Sequence, residues 1–274
     1  MATLGARKQK ESHIERTAKE PRQKELLQAR LSHITQVNRR VRLFRLELTS
    51  GPVRFLPGQW LDTFVPGVPK AGGFTITSSP SAALQSPSPY LELADQITGS
   101  MLQVRIGGSF VFPPEGLHLA SIQRVVFVAG GVGVNPLISM LSYLSEGEGL
   151  RHTLDTRFLY ATKVPEGNSL GEILFLDTLA SLFGQGKLRG YVKLFITGDG
   201  TTKGTHEVNG TSIEIEPRRL SIADLEAAIG NELLESTVVY VCGPPTMTDE
   251  VVSGLTSLDG LSVNPQHVLA EKWW

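Results

Sequence analysis

The strongest chemical signal in the chain is Gly130-Gly131-Val132-Gly133-Val134-Asn135-Pro136, which follows the apolar run Val125–Ala129. Val134, Leu137, Ile138, Leu141 and Leu144 then recur at helical spacing. A glycine-rich turn between a buried strand and a helix N-terminus is suited to an anion. Missing Cβ atoms admit a pyrophosphate to the backbone, unpaired N–H groups point at it, and the helix dipole favours its charge. Pro136 suits the first helical turn, where an N–H is dispensable. The pattern departs from Gly-x-Gly-x-x-Gly because proline replaces the last glycine. A tight turn that binds nothing is the alternative reading.

Three further segments carry residue types suited to a site: Cys242-Gly243-Pro244-Pro245-Thr246-Met247 after an apolar strand, Phe74-Thr75-Ile76-Thr77-Ser78, and the ending Glu271-Lys272-Trp273-Trp274. Other chemistries are poorly served. A single cysteine excludes an intramolecular disulfide framework and multi-cysteine zinc or iron–sulfur sites. The six histidines lack ligand spacing, so no metal site is expected. A formal net charge of −1 argues against nucleic acid as the main partner. No apolar run reaches the roughly 18–20 residues of a bilayer span, so a soluble intracellular protein without a transmembrane segment is expected.

The elements that must position these residues fall into two grammars over 274 residues, enough for two cores. From His33 to about Pro114, short β-branched and aromatic runs are fenced by Ser50-Gly51-Pro52, Pro57-Gly58 and Pro87-Ser88-Pro89. They predict strands near 34–37, 41–48, 59–65, 74–77 and 90–94 in an antiparallel β-barrel or sandwich. Only Thr98–Gln103 reads as helix in this half. From Arg124 onward strands and helices alternate, predicting an α/β doubly wound parallel sheet. Helices are expected near 172–182, 222–229 and 246–255. The domains are set at 31–118 and 119–274. Residues 1–30, with eight basic residues against four Glu, form a basic arm, partly helical or disordered, with Glu20 and Lys24 at helical i,i+4 spacing.

In this order, the Gly-rich turn, the Cys242–Met247 segment, Phe74–Ser78 after Pro57-Gly58-Gln59-Trp60, and the terminal aromatics resemble the ferredoxin reductase-like superfamily of flavin- and pyridine-nucleotide-dependent oxidoreductases. The resemblance spans roughly residues 30–274. Gly73-Phe74-Thr75-Ile76, Val104-Arg105-Ile106-Gly107-Gly108 and the Glu-Lys-Trp-Trp ending resemble one branch of it, which the family view places in mitochondria, with the cytoplasm as the alternative.

The resemblance implies a flavin (FAD, or FMN) on the barrel and a nicotinamide nucleotide on the second domain. The family's Arg-x-Tyr-Ser/Thr motif falls on Gly72, Phe74 and Thr75. Thr75 keeps a hydroxyl for the flavin N5 region, Phe74 can cover a ring, and Thr77 lies beside them. The missing guanidinium removes a bidentate phosphate partner, for which Lys70 is the nearest substitute. Gly99 and Ser100 fill a second flavin contact at a short helix start. Gly243, Pro244, Pro245 and Met247 frame the nicotinamide, and Cys242 sits where relatives place a cysteine near it. Trp274 is expected to stack over the flavin, and Glu271 to be a polar neighbour of the reactive face. Gly130 to Pro136 grip the pyrophosphate, and Asp199 meets the ribose 2′ position, which favours NADH over NADPH. Lys163 and Lys203 are the contrary evidence.

The reaction implied is hydride transfer from NAD(P)H to the flavin, then electron release to an unknown acceptor. Two rivals stand beside it. One is a flavin-deficient NAD(P)-binding sensor or scaffold without turnover. The other is a reductase component serving a protein electron acceptor, steered by the basic arm.

Overall fold

The computed structural model describes residues 11–95, 101–147, 149, 153–166, 169–198 and 200–273. The first half forms six antiparallel strands: β1 (Leu27–Gln36), β2 (Arg42–Leu48), β3 (Trp60–Phe64), β4 (Gly72–Thr75), β5 (Tyr90–Asp95) and β6 (Met101–Gly107), in the order β4-β3-β6-β1-β2-β5. An antiparallel bridge between Ile76 and Leu93 joins the two edges, giving the barrel its closure. Phe44, Leu46, Leu61, Leu91, Val104 and Ile106 fill the interior. The helix expected at 98–103 is corrected: Met101–Gln103 belong to β6, and residues 98–100 lie outside the described residues. The reason is period-two burial, with Leu102, Val104 and Ile106 inside and Met101 and Gln103 exposed.

β1 begins at Leu27, inside the stretch expected to be arm. Ahead of it a short helix α1 (His13–Arg16) is closed by a Ser12–Glu15 capping box. No helix covers Glu20 and Lys24. His13 is buried on the barrel's outer face, its ring edge-on to Trp60 at 4.6 Å. The fully buried Asp62 beneath it accepts from Arg22 Nε at 2.9 Å and Arg105 Nη2 at 2.7 Å, and lies 3.1 Å from His13 Nε2. Burial alone would raise the Asp62 pKa, but donors from His13, Arg105 and Arg22 bring it down to about 2.

The second half is the expected α/β sheet. Its strands are β7 (Arg124–Gly130), β8 (Asp155–Lys163), β9 (Arg189–Thr197), β10 (Gly204–Val208), β11 (Thr211–Glu216), β12 (Thr237–Gly243) and β13 (Val268–Lys272), in the order β10-β11-β9-β8-β7-β12-β13. All neighbours are parallel except β10, which hairpins onto β11. Helices α2 (Val134–Glu146) and α3 (Leu176–Gly184) cover one face. Helices α4 (Ile222–Ile229) and α5 (Pro245–Thr256) cover the other. β7 is buried on both faces, so it reads as a continuous apolar run: Val125 and Phe127 join one core, Val126 and Val128 the other. The domains are tied together by Ser139 Oγ donating to the Ser78 carbonyl at 2.7 Å and Tyr240 Oη donating to the Val111 carbonyl at 2.8 Å.

Candidate functional site

Chain order reverses between β7 and β12: β8 and β9 extend to one side of β7, and β12 and β13 lie on the other. The carboxyl ends of strands at such a switch point form a natural crevice, and both glycine-bearing turns lie there. They interlock. A Cβ on Gly133 would collide with the Cys242 carbonyl group, and one on Gly130 would lie 2.5 Å from Met247 Sδ and 2.8 Å from Pro244. Gly131 differs. Its φ is +53°, and a Cβ there would meet nothing within 4 Å, so its backbone faces open space. Val132 beside it is exposed, whereas Val134, Asn135 and Pro136 are buried at the start of α2. Gly131, held at positive φ, and Gly133, packed on the Cys242 backbone, thus resist a larger side chain for different reasons.

A second space, a cleft of about 710 Å³, opens between the barrel's outer face and β13. His13, Arg16 and Trp60 line one side, Glu271 and Trp273 the other. Trp273 donates its backbone N–H to the Gly243 carbonyl at 3.0 Å and its indole N–H to Glu271 Oε2 at 3.1 Å. Burial pushes the Glu271 carboxyl up to about 8, with Glu20 adding to the rise and the Trp273 hydrogen bond opposing it. Cys242 pairs in register with Ala129 on one side and Glu271 on the other. Burial, reinforced by the Glu271 charge, raises its thiol well above the ordinary value.

Thr75 stands opposite Trp60 in the β3–β4 ladder. Thr75 Oγ1, Thr77 Oγ1 and Asn135 Oδ1 are buried with no hydrogen-bond partner among the described residues. Buried polar atoms of this kind are costly unless a ligand or water completes them. Phe74 turns toward the barrel core, and its ring lies 2.6 Å from where a Gly72 Cβ would stand. A Cβ on Gly73 would collide with the His13 ring. Lys70 is exposed, and its charge acts on Glu15 of α1. These unpartnered groups are available to a polar ligand, and the Phe74 ring fills the space where a side chain on Gly72 would begin.

Among the predicted site residues, the structure brings together the Gly130–Asn135 turn, the Cys242–Met247 turn and Glu271. Gly99, Ser100, Asp199 and Trp274 lie outside the described residues. Trp273, His13 and Asp62 were not singled out from sequence. The Ser12-x-x-Glu15 capping box was the available signal for the helix that carries His13. No cluster of metal-ligating side chains occurs among the described residues, and none of their helices is long and apolar enough to cross a membrane.

No family model matches the chain. Among curated proteins, oxidoreductase NAD-binding domain-containing protein 1 from Xenopus tropicalis is 32% identical over 292 residues, covering 96% of this chain and 84% of the relative. The Danio rerio protein of the same name is 30% identical over 285 residues, covering 96% and 97%. A solved ferredoxin NADP+ reductase from Neisseria gonorrhoeae, with bound FAD and NADP, superposes with a TM-score of 0.64 at 16% identity, covering 92% of this chain and all of that one. The fold is thus ferredoxin reductase-like, and with the curated relatives matched nearly end to end, the chain belongs to the oxidoreductase NAD-binding domain-containing protein 1 family.

Proposed function

We propose that the protein is an NAD(P)H-dependent flavoprotein oxidoreductase that uses NADH in preference to NADPH. The observation that carries this reading is the Gly131 turn, its backbone open at the sheet's switch point in a pocket closed by the barrel's β1–β2 turn. The relatives' names specify NAD binding, and the solved ferredoxin NADP+ reductase holds FAD and NADP.

When bound, the two cofactors supply hydride transfer from nicotinamide to flavin and onward electron release. The chain's residues bind and orient. Gly130 to Asn135 hold the pyrophosphate through backbone N–H groups at the start of α2. Thr75 and Thr77 offer their unpartnered hydroxyls to the flavin. Gly243 to Met247 and Cys242 bound the nicotinamide side, and Glu271 presents a carboxyl held neutral near pH 7. The preference for NADH rests on Asp199, with Lys203 already paired to Glu216 at 2.9 Å.

The acceptor is proposed to be a protein, as the similarity to a ferredoxin reductase and the basic N-terminal stretch suggest. The absorption spectrum of purified protein tests the whole reading. A flavin band that NADH bleaches under anaerobic conditions supports it. Nucleotide binding by a colourless protein that no added flavin reconstitutes would leave the non-catalytic nucleotide-binding module, the reading that Phe74 packed over Gly72 favours.

A further inference from the structure

A pocket of about 340 Å³ lies where the barrel meets the Gly-rich turn. Four segments line it: the β1–β2 turn at Asn38–Val41, the pair Gly131 and Val132, the end of β8 with the residues after it as far as Glu166, and Glu172–Leu174. The β1–β2 turn belongs to the first domain, yet it is fastened to the second. Val37 and Val41 pack against the second domain's core, and Asn38 Nδ2 donates to the Glu172 carbonyl at 3.0 Å. Asn38 Oδ1 also accepts from the backbone N–H groups of Arg40 at 2.9 Å and Val41 at 3.0 Å, which fixes the turn.

The turn presents two guanidinium groups at the pocket mouth, with Arg39 and Arg40 side chains 86% and 81% exposed. Both converge on Glu166, at 3.5 Å and 2.7 Å. Lys163 lines the same pocket with no carboxylate partner among the described residues. Three cations thus surround the mouth, against the carboxylates of Glu166 and Glu172, next to Gly131, whose backbone is open. Ion pairs this exposed are weak. A phosphate group offers guanidinium a bidentate acceptor of higher charge than a single carboxylate.

We propose that Arg40, together with Lys163, binds a phosphate of the nicotinamide dinucleotide, so that the barrel's β1–β2 turn completes the nucleotide site and Glu166 competes for the same guanidinium. This rests on the dinucleotide reading above. The phosphate is either the pyrophosphate shared by NADH and NADPH or the 2′-phosphate of NADPH alone.

The experiment titrates the full chain with NADH and with NADPH, following binding by calorimetry, for wild type, Arg40→Ala, Lys163→Ala and Glu166→Gln. The substituted side chains are exposed, and thermal melting confirms that each variant is folded. Arg40→Ala and Lys163→Ala weaken binding by about tenfold each, and Glu166→Gln tightens it. Equal weakening for both nucleotides assigns the contact to the pyrophosphate, and weakening for NADPH alone assigns it to the 2′-phosphate. Unchanged affinities in Arg40→Ala and Lys163→Ala, with wild type binding normally, overturn this inference alone. Failure of the wild-type chain to bind either nucleotide overturns the dinucleotide reading with it.

Discussion

The indole N–H of Trp273 donates to Glu271 Oε2 at 3.1 Å on the β13 wall of the interdomain cleft, and this bond opposes the burial that favours the neutral carboxyl. Glu271 is pushed up to about 8 by burial, from an ordinary value near 4.5. Between those values the native state holds a proton that the unfolded chain has lost, so stability falls as pH rises through this window. Glu271→Gln, which cannot ionise, should lose less melting temperature than wild type between pH 5 and pH 8. Parallel curves for the two proteins would show that the carboxyl ionises freely. Trp273→Phe, which removes the opposing donor, should move the inflection to higher pH.

Asp62 gives the opposite sign. Its carboxylate is held near 2 against an ordinary 3.8, so its contribution is present above about pH 4 and is lost as pH falls toward 2. The guanidinium groups of Arg22 and Arg105 and the imidazole of His13 surround it in the barrel wall. Asp62→Ala strands Arg22 and Arg105 and should cost about 3–5 kcal/mol. Because Arg22 and His13 are the arm's anchors, the same variant should be cut by protease within residues 11–26 faster than wild type. A stability loss without faster arm cleavage would mean that His13 on Gly73 suffices to hold α1.

The two central glycines of the nucleotide turn should behave differently. Gly131→Ala meets no atom, but must keep a φ of +53°, a strain of about 1–2 kcal/mol. It should bind NADH more weakly while remaining folded. Gly133→Ala drives a methyl into the Cys242 backbone, where β12 cannot retreat from β7, and should lose stability first and binding as a consequence. Melting curves and nucleotide titrations of the two variants separate the roles.

Legibility followed burial. The β7 run, the α2 spacing and the switch-point turns could be read because their apolar periods are set by two-sided or one-sided burial within a short window. Ile222–Ile229 is the clearest case, a capped helix whose bounds the pattern alone supplies. The β10–β11 hairpin was not expected, although it carries a signal, Asn209-Gly210 between alternating residues. Both residues take positive φ, as a tight hairpin turn demands. β6 was obscured by a short window, in which Met101 and Leu102 look helical until Val104 and Ile106 extend the alternation. His13 was invisible for another reason: its burial depends on Gly73, sixty residues later, leaving room for a ring. The Asn38–Val41 contact with Glu172 likewise spans the domain gap, beyond any local pattern.

Phe74 folded over Gly72 makes a test of the flavin's path across β4. Gly72 has no positive φ, so its backbone admits a side chain, but a Cβ there stands 2.6 Å from the Phe74 ring and forces that ring to rotate. Gly72→Ala therefore carries the steric cost alone and should lower stability without raising flavin content. Gly72→Arg carries the same cost and adds a bidentate phosphate partner, a charged hydrogen bond of about 1.5–3 kcal/mol. The cost of moving Phe74 is common to both and cancels, so flavin should bind about ten- to a hundredfold more tightly than in Gly72→Ala, one decade per roughly 1.4 kcal/mol. Flavin fluorescence after gel filtration at matched protein concentration measures the difference. Equal flavin affinity in the two variants would mean that no flavin phosphate passes over Gly72, and that the barrel's unpartnered Thr75 and Thr77 hydroxyls serve a ligand bound another way.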